Sequence, residues 1–338
     1  MRFHLTEEQS AIQDAIRGTL ADCWPMERLH AFAEGDTDFD QTSWDALMRL
    51  GLGSILLPDS GMGLLDAALV CEVAGEAAAP GPLIGQLLAV AAVSNASNEA
   101  AKAHLDALAS GAAVATLAFT ADDPAEAELM VPCARAAQYF LIGSRIGGIS
   151  LVEAGEGVTI TPLPSTDRSR PVSKVKFSGA KTLQLFAPED PMTAKLYSAA
   201  LVLVAADALG GAQKCTEMSV AYAKEREQFG QAIGAFQGLK HQLAHMALDV
   251  EPARALVWYA AYAHDADLPD AARAAAMVKA HLCDVYVRST RAAVAAHGGI
   301  GYTWEYGLNY WFRRAAFDRA WLGSPSMQRA RAAALAGW

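Results

Sequence analysis

The sequence predicts an α+β protein with more than one domain, because its pattern changes twice along the chain. Residues 1–110 carry apolar side chains at helical spacing, residues 111–190 consist of short runs rich in Val, Ile, Leu and Phe, and residues 191–338 return to long helical patterns. The 338 residues can supply more than one hydrophobic core, and an apolar content of 53% with many alanines indicates closely packed helices. We expect an N-terminal helical domain, a middle β domain and a C-terminal helical bundle.

The first region is predicted to be helical along its whole length. Thr6 and Gln9 have the spacing of a capping box, and apolar residues then repeat at helical intervals. A glycine turn at 51–53 and a Pro-Gly-Pro turn at 80–82 separate the later helices. These later helices are predicted at 41–50, 64–79, 83–95 and 100–108.

The second and third regions predict a small β-barrel or sandwich followed by a bundle of four helices. In the middle region the apolar runs are bounded by Gly, Asp and Pro, which favour turns between strands. The strands are predicted at 113–119, 139–143, 149–153, 158–163 and 172–177. In the last region apolar stripes at helical spacing are long enough to line a bundle. Its helices are predicted at 192–224, 236–264 and 269–297, and after Pro325.

Composition speaks against several classes of function. A net charge of −10 disfavours nucleic-acid binding, since phosphates would be repelled over most of the surface. The five cysteines are far apart and lack a CxxC pair, which indicates reduced thiols without a disulfide framework or a metal site. No signal peptide is evident, and the most apolar segment, 199–209, is too short to span a bilayer core of about 30 Å. We expect a cytoplasmic protein with no membrane segment.

The segment 224–237 has the residue types of a pyrophosphate site. The guanidinium of Arg226 offers paired donors to phosphate oxygens, Gly230 allows a tight turn out of a helix, and Phe229 offers an apolar face to part of a cofactor. The alternative is that Arg226 pairs with Glu225 or Glu227 at a solvated helix end. A second motif later in the chain favours the ligand-binding interpretation.

That second motif, His297-Gly298-Gly299-Ile300-Gly301, ends a predicted helix and places three glycines at a turn. Glycines there let the backbone approach a ligand and aim its amide groups at phosphate oxygens. With the following Tyr302-Thr303-Trp304-Glu305, and with the first motif, it resembles the C-terminal half of the acyl-CoA dehydrogenases. The resemblance is strongest to bacterial members that act on CoA thioesters of steroid or other bulky carbon skeletons.

The resemblance implies the architecture of that family, in which the middle region is a small β-barrel and the last region a four-helix bundle. It also implies an FAD cofactor, an acyl-CoA substrate and electron-transferring flavoprotein as the electron acceptor. This chain would contact the FAD of a neighbouring subunit. The implied cofactor residues are Arg226, Gln228, Phe229, Ile233, Phe236, Gln237, His297, Gly298, Gly299 and Gly301. One departure is Ala295, where the family usually has glutamine.

The catalytic base of the family is missing from its usual position. Removal of the α-proton beside a thioester needs a carboxylate whose pKa is raised by apolar surroundings. The family's Glu-Gly-Thr falls on Leu322-Gly323-Ser324. A minority of members place the base in the segment that matches 196–211, and the only carboxylate in that segment here is Asp207. The stretches that hold the flavin ring in the family are altered here too, at 119–124 and 139–143.

The motifs that contact a neighbour's flavin are kept, whereas the base and the stretches that hold a subunit's own flavin ring are altered. This contrast predicts the smaller subunit of a heteromeric acyl-CoA dehydrogenase, whose longer partner supplies the base and binds the flavin ring. One alternative is a homomeric dehydrogenase with its base relocated to Asp207 or Glu305. Another is a flavin-free scaffold or acyl-CoA-binding protein that keeps the fold only. No catalytic residue is assigned to this chain from its sequence.

Overall fold

The structure, a computed structural model, describes residues 4–120, 128–144 and 147–338. The predicted order of helices, strands and helices is confirmed. The helices of the first part are α1 (Glu7–Cys23), α2 (Met26–Glu34), α3 (Gln41–Met48), α4 (Leu64–Glu76), α5 (Leu83–Asn95), α6 (Glu99–Lys102) and α7 (Leu105–Ala109).

The first helix begins at the predicted capping box. The amide of Gln9 donates to Oγ1 of Thr6 at 3.1 Å, and the amide of Thr6 donates to Oε1 of Gln9, also at 3.1 Å. Ile16 and Leu20 of this helix are buried, as the helical spacing requires. α2 is not among the predicted helices. It follows Pro25, which lies at its N-cap, where the missing N–H removes no helical hydrogen bond.

The strands of the middle part are β1 (Ala115–Phe119), β2 (Leu129–Pro132), β3 (Tyr139–Ser144), β4 (Gly148–Glu153), β5 (Val158–Pro162), β6 (Val172–Phe177) and β7 (Thr182–Phe186). They form a four-stranded sheet in the order β1-β3-β4-β7, in which β1 and β3 run parallel, and a three-stranded antiparallel sheet in the order β2-β6-β5. Of the two predicted arrangements, the described strands therefore have the sandwich rather than a closed barrel. β2 and β7 are not predicted, because their apolar runs are short.

Alternation along β3 explains how the sandwich is attached to the helices. Phe140 and Ile142 face the second sheet and share one apolar cluster with Val131 and Val175. Leu141, which lies between them, belongs to the large helical core instead. Because successive residues of a strand point to opposite faces, the four-stranded sheet is buried on both sides. Its outer face packs against α5.

The last part is a bundle around one long helix, α8 (Pro191–Glu225), which also packs on α4. Asp190 begins α8 by accepting a hydrogen bond from the amide of Met192 at 2.8 Å. The other helices are α9 (Gln237–Asp265), α10 (Ala271–His297), α11 (Asn309–Ala320) and α12 (Pro325–Leu335). α8, α9, α10 and α12 confirm the predicted bundle. α11 is not predicted, because charged residues interrupt its apolar stripe.

α8 is long and apolar enough, by length and composition, to cross a membrane. In the structure, 72% of its most apolar stretch is buried inside the protein. Other helices of the same chain provide that burial, since α4, α9 and α10 pack against it. We therefore interpret α8 as the core helix of the bundle.

α4 and α8 cross at very close range through glycines. A Cβ atom on Gly210 would overlap the carbonyl oxygen of Glu72, and one on Gly75 would overlap the carbonyl oxygen of Asp207. Only glycine fits at these two positions without moving a helix backbone. The crossing holds Asp207 against the end of α4, next to the buried charges described below.

Candidate functional site

The first motif forms a hairpin at the end of α8. Two short strands, β8 (Glu227–Gln228) and β9 (Gln231–Ala232), are joined by Phe229 and Gly230. Both turn residues have a positive φ, 54° and 78°, as a type I′ hairpin turn requires. Glycine adopts this backbone freely, but phenylalanine does so at an energetic cost. The side chain of Phe229 is nevertheless 93% exposed, with Phe236 as its aromatic neighbour at 6.2 Å.

Arg226 lies at the base of this hairpin and is exposed. Its amide donates to the carbonyl of Tyr222 at 2.8 Å, and its carbonyl accepts from the amide of Ile233 at 2.7 Å, which fixes the hairpin stem. In the part of the chain that the structure describes, its guanidinium has no carboxylate partner, neither Glu225 nor Glu227. The alternative of an intrachain ion pair is therefore not observed. An exposed and unpaired guanidinium is suited to bind a phosphate.

The other predicted residues of the first motif surround the same stem. Gln228 is exposed, and Ile233 and Phe236 are half-buried. Gln237 is exposed and is the first residue of α9, whose N-cap residue gives it no side-chain hydrogen bond. The amides of this first helical turn and the helix dipole favour an anion. The hairpin and the start of α9 thus form one exposed surface with donors for phosphate.

The second motif forms an exposed turn at the end of α10. Gly298 has a φ of 62°, a conformation that favours glycine. A Cβ atom on Gly298 or Gly299 would meet no atom within 4 Å, whereas one on Gly301 would lie 2.9 Å from the carbonyl oxygen of Val294. The third glycine therefore lets the turn close onto the helix. The first two leave the backbone open, so a ligand oxygen can approach without meeting a side chain.

An aromatic stack brings the two motifs together. Tyr222 lies one helical turn before Arg226, and the centroid of its ring is 4.6 Å from that of His297, with an interplanar angle of 26°. His297 directly precedes Gly298 in the chain. The hairpin and the glycine turn therefore lie at the same end of the bundle.

His297 is buried, unlike the two glycines that follow it. Its Nδ1 lies 2.7 Å from the carbonyl oxygen of Ala293, and its Nε2 lies 2.9 Å from the hydroxyl of Tyr306. Burial lowers the pKa of His297, and its interactions with the backbone of Ala293 and of Met218 oppose that effect. The imidazole faces into the bundle and holds the turn, while the glycines present their backbone to solvent.

At the position where the resemblance places the base, the structure has an apolar side chain. Leu322 belongs to the helical core and is 8% exposed. Its φ is 59°, and its carbonyl accepts hydrogen bonds from Nε2 of Gln328 at 2.6 Å and from the hydroxyl of Tyr197 at 3.1 Å. Since a leucine side chain accepts no proton, it cannot serve as a general base.

Asp207, the first of the two residues considered as a relocated base, lies in a buried charge cluster. Arg314 donates to it from Nε at 3.0 Å and from Nη2 at 2.8 Å, and Arg170 donates from Nη2 at 2.7 Å. Burial alone would raise the pKa of Asp207, but the charges of both arginines outweigh burial and hold the pKa at about 2. A carboxylate so strongly bound is a poor base. Glu305, the second residue considered, is exposed at the surface.

Two residues of this charge cluster, Arg170 and Asp318, are not singled out by the sequence pattern. Arg170 comes from the segment before β6, and Arg314 and Asp318 come from α11, where Arg170 also donates to Asp318 at 2.6 Å. The signal in the sequence was a lone aspartate inside the apolar run of α8, because a buried carboxylate requires a cationic partner. That signal does not tell which of the arginines is the partner.

The ends of β1 and β3, where the resemblance places a subunit's own flavin ring, carry an aromatic pair. Phe119 lies opposite Gly143 in the sheet, and a Cβ atom on Gly143 would overlap the ring of Phe119. Phe119 also stacks with Tyr197, the centroids being 6.1 Å apart and the planes 17° from parallel. Side chains of this chain therefore fill the space beside Gly143. The rest of the predicted stretch, 121–124, lies outside the described residues.

The residues present fit the phosphate end of FAD. Arg226 is unpaired among the described residues, the start of α9 carries free amides, and Gly298 and Gly299 expose their backbone. The fit does not extend to the chemistry of a base, because Leu322 has no proton acceptor. The structure thus has residues suited to bind the phosphates of FAD, but it has no proton acceptor at the usual position of the base.

Comparison with known proteins finds relatives along the whole chain. Residues 196–336 match the family model of the acyl-CoA dehydrogenase C-terminal domain. The acyl-CoA dehydrogenase IpdE2 of Mycolicibacterium smegmatis is 30% identical over 97% of this chain and 98% of its own length. The solved Tcur3481-Tcur3483 steroid ACAD variant has a TM-score of 0.88 at 25% identity, over 98% of each chain. The ChsE4-ChsE5 complex from Mycobacterium tuberculosis has a TM-score of 0.85 at 23% identity, over 98% of this chain and 97% of that one.

Proposed function

This chain belongs to the acyl-CoA dehydrogenase family, and from that premise we propose that it is one subunit of a heteromeric, FAD-dependent acyl-CoA dehydrogenase. In this assembly the Arg226 hairpin and the glycine turn contact the phosphates of an FAD that a longer partner subunit holds. The partner also provides the catalytic carboxylate. The chain alone is therefore incomplete as a catalyst.

The observation that carries the proposal is the contrast between two parts of the chain. Arg226 is exposed, has no carboxylate partner among the described residues, and lies at the same end of the bundle as the open backbone of Gly298 and Gly299. Leu322, by contrast, is buried and cannot accept a proton, and Asp207 is bound by two arginines. A chain with a phosphate-binding surface but no base in the usual places is suited to complete the site of another chain.

The reaction in this proposal is the α,β-dehydrogenation of a CoA thioester. The α-proton leaves to a carboxylate, and the β-hydrogen leaves as hydride, which FAD accepts when bound. The residues of this chain act in binding. The guanidinium of Arg226 neutralises phosphate charge, and the amide of Gly299 donates a hydrogen bond to a phosphate oxygen. The amide of Gly298 already donates to the carbonyls of Ala295 and Val294.

The named relatives support a more specific substrate and partner. The Tcur3481-Tcur3483 protein, which is 25% identical to this chain, is named as a steroid ACAD and carries the names of two proteins. By this likeness we propose that the substrate is a CoA thioester of a steroid side chain and that the assembly pairs this chain with a longer homologue. Electron-transferring flavoprotein is the proposed electron acceptor, and the cytoplasm is the proposed location.

The test is to purify this chain alone and together with a longer acyl-CoA dehydrogenase chain from the same genome. Flavin absorbance and the reduction of an electron acceptor by acyl-CoA substrates are then measured for both preparations. We expect colour and activity only in the co-purified complex. Flavin and activity in the single chain would contradict the proposal and favour a homomeric enzyme, whereas flavin in neither preparation would favour a scaffold.

A second variant checks the position of the base. Leu322→Glu in the lone chain is expected to give no activity, because Leu322 packs in the core and the flavin-ring stretches are altered as well. Activity in that variant, measured with the same acyl-CoA substrates, would mean that this chain holds a complete flavin site of its own.

A further inference from the structure

Three aromatic side chains, Tyr222, His297 and Tyr306, pack together between the hairpin and the glycine turn. The ring centroids are 4.6 Å apart for Tyr222 and His297, 4.9 Å for His297 and Tyr306, and 6.1 Å for Tyr222 and Tyr306. The two tyrosines meet edge to face at 70°, an arrangement that aromatic rings favour. Tyr306 is not among the residues that the sequence pattern singles out.

The partners of His297 indicate which of its two ring nitrogens donates a hydrogen bond and which accepts one. The carbonyl of Ala293 can only accept, so Nδ1 of His297, 2.7 Å away, carries the proton. Nε2 of the neutral ring is then an acceptor, and the hydroxyl of Tyr306 donates to it at 2.9 Å. His297 is 4% exposed, so without the Tyr306 hydroxyl its Nε2 would be a buried acceptor with no donor from that side.

The bond between His297 and Tyr306 joins the two ends of the glycine turn. His297 directly precedes Gly298, and Tyr306 follows the exposed part of the turn. On its outer side the same segment is tied to α2, because Nε1 of Trp304 donates to Oε1 of Glu34 at 3.1 Å. The outer contact fixes the segment to the first part of the chain. The inner bond is the one that connects the turn to Tyr222 and hence to the hairpin.

We propose that Tyr306 is a positioning residue of the phosphate-binding surface. Through His297 it sets the backbone of Gly298 and Gly299 relative to Arg226, so that the turn and the hairpin reach the same pyrophosphate. Tyr306 itself does not touch the ligand. The inference rests on the proposed function, because it concerns the FAD site that this chain completes.

The test uses the complex with the longer partner subunit, carrying Tyr306→Phe in this chain. The flavin-stripped complex is titrated with FAD and binding is followed by flavin fluorescence. We expect the dissociation constant for FAD to rise about tenfold, as for one lost hydrogen bond whose acceptor stays buried. Turnover at saturating FAD is expected to return to the level of the unchanged complex, because Tyr306 takes no part in the chemistry.

Tyr262→Phe is the matched control. Tyr262 lies in α9, and its hydroxyl has no hydrogen-bond partner among the residues that the structure describes. Its variant is expected to bind FAD like the unchanged complex. An unchanged dissociation constant in Tyr306→Phe would overturn the proposal. Turnover that stays low at saturating FAD would overturn it too, because that result indicates general damage to the fold.

Two further variants keep the proposal testable if Tyr306→Phe does not fold. His297→Gln retains a side chain that can accept from Tyr306, whereas His297→Leu does not, so the glutamine variant is expected to bind FAD more tightly. Equal affinities would overturn the proposal.

Arg226→Ala distinguishes a failure of the role of Tyr306 from a failure of the proposed function. Loss of FAD in Arg226→Ala but not in Tyr306→Phe rejects the role of Tyr306 alone, whereas retention of FAD in both rejects the proposed function.

Discussion

Arg314 holds Asp207 by a two-point contact inside the protein. The contacts are 3.0 and 2.8 Å long, and both side chains are 1% exposed. Arg314 lies on α11 and Asp207 on α8, while Arg170 reaches the same carboxylate at 2.7 Å from the segment before β6. Arg314 also donates to the carbonyl of Ala79, beyond the end of α4, at 3.0 Å. Helical, sheet and bundle parts of the chain thus meet at one buried carboxylate.

Asp207→Asn is expected to lower the free energy of unfolding by roughly 3 kcal/mol, because two buried guanidinium groups would lose their counter-charge. Asp318→Asn is the matched control. Burial, and then the charge of Asp207, raise the pKa of Asp318, which favours the neutral form of its carboxyl group, so we expect an amide to replace it at the smaller cost of about 1 kcal/mol. Denaturant unfolding of the chain measures both values. Equal losses would contradict the assignment of the negative charge to Asp207.

Stability is also expected to depend on pH through Asp207. The pKa of this carboxyl group in the folded chain is about 2, below its ordinary value of 3.8, so the unfolded chain binds the proton more readily. The stability that Asp207 contributes is therefore present above about pH 4 and is lost as the pH falls towards 2. Asp207→Asn is expected to remove this part of the curve of unfolding free energy against pH. A curve of the same slope in both proteins would be the contradicting result.

Gly299→Ala is expected to change the affinity for FAD without lowering the stability of the fold. A Cβ atom at this position would meet no atom within 4 Å, so we expect the free energy of unfolding of the lone chain to stay the same or to rise by about 0.5 kcal/mol. In the complex the added methyl group would stand between the backbone and the phosphate, and the affinity for FAD is expected to fall about tenfold. Gly18→Ala, in α1 with similarly open space, is the control. Unchanged FAD affinity in Gly299→Ala would show that no ligand approaches this backbone.

Phe229→Gly tests whether the exposed ring serves the assembly. The φ of 54° at Phe229 suits glycine, so this change is expected to stabilise the lone chain by about 1 kcal/mol. Loss of the ring is expected to weaken association with the partner subunit, measured by titration calorimetry. Phe229→Ala removes the ring without relieving the backbone, so it is expected to weaken association without the gain in stability. Association at full strength in both variants would contradict a role for the ring.

Most of the fold could be predicted because local pattern and packing agree. The capping box at Thr6 and the long apolar stripes of α8, α9 and α10 are strong signals that the structure confirms. α11 escaped prediction because charged residues that are buried in ion pairs, such as Arg314 with Asp207, interrupt its apolar pattern. The sandwich could not be told from a barrel, because sheet closure depends on strand neighbours that lie far apart in sequence.

The candidate site was predicted in part. Motif spacing located Arg226 and the glycines, and the structure places both at the same end of the bundle. The sequence could not show that the imidazole of His297 faces inwards, because its orientation follows from contacts with Tyr222 and Tyr306. Tyr306 gave no signal, since a single tyrosine after a glycine turn is ordinary in any sequence.

The central claim is that Arg226 of this chain binds the phosphates of an FAD held by another subunit. The most direct measurement is the flavin content of the purified complex carrying Arg226→Ala, determined by absorbance and compared with Arg49→Ala, an exposed arginine at the end of α3 without a carboxylate partner among the described residues. We predict that Arg226→Ala leaves the complex assembled but largely free of flavin, while Arg49→Ala retains it. A complex that keeps its full flavin content with Arg226→Ala would contradict the account.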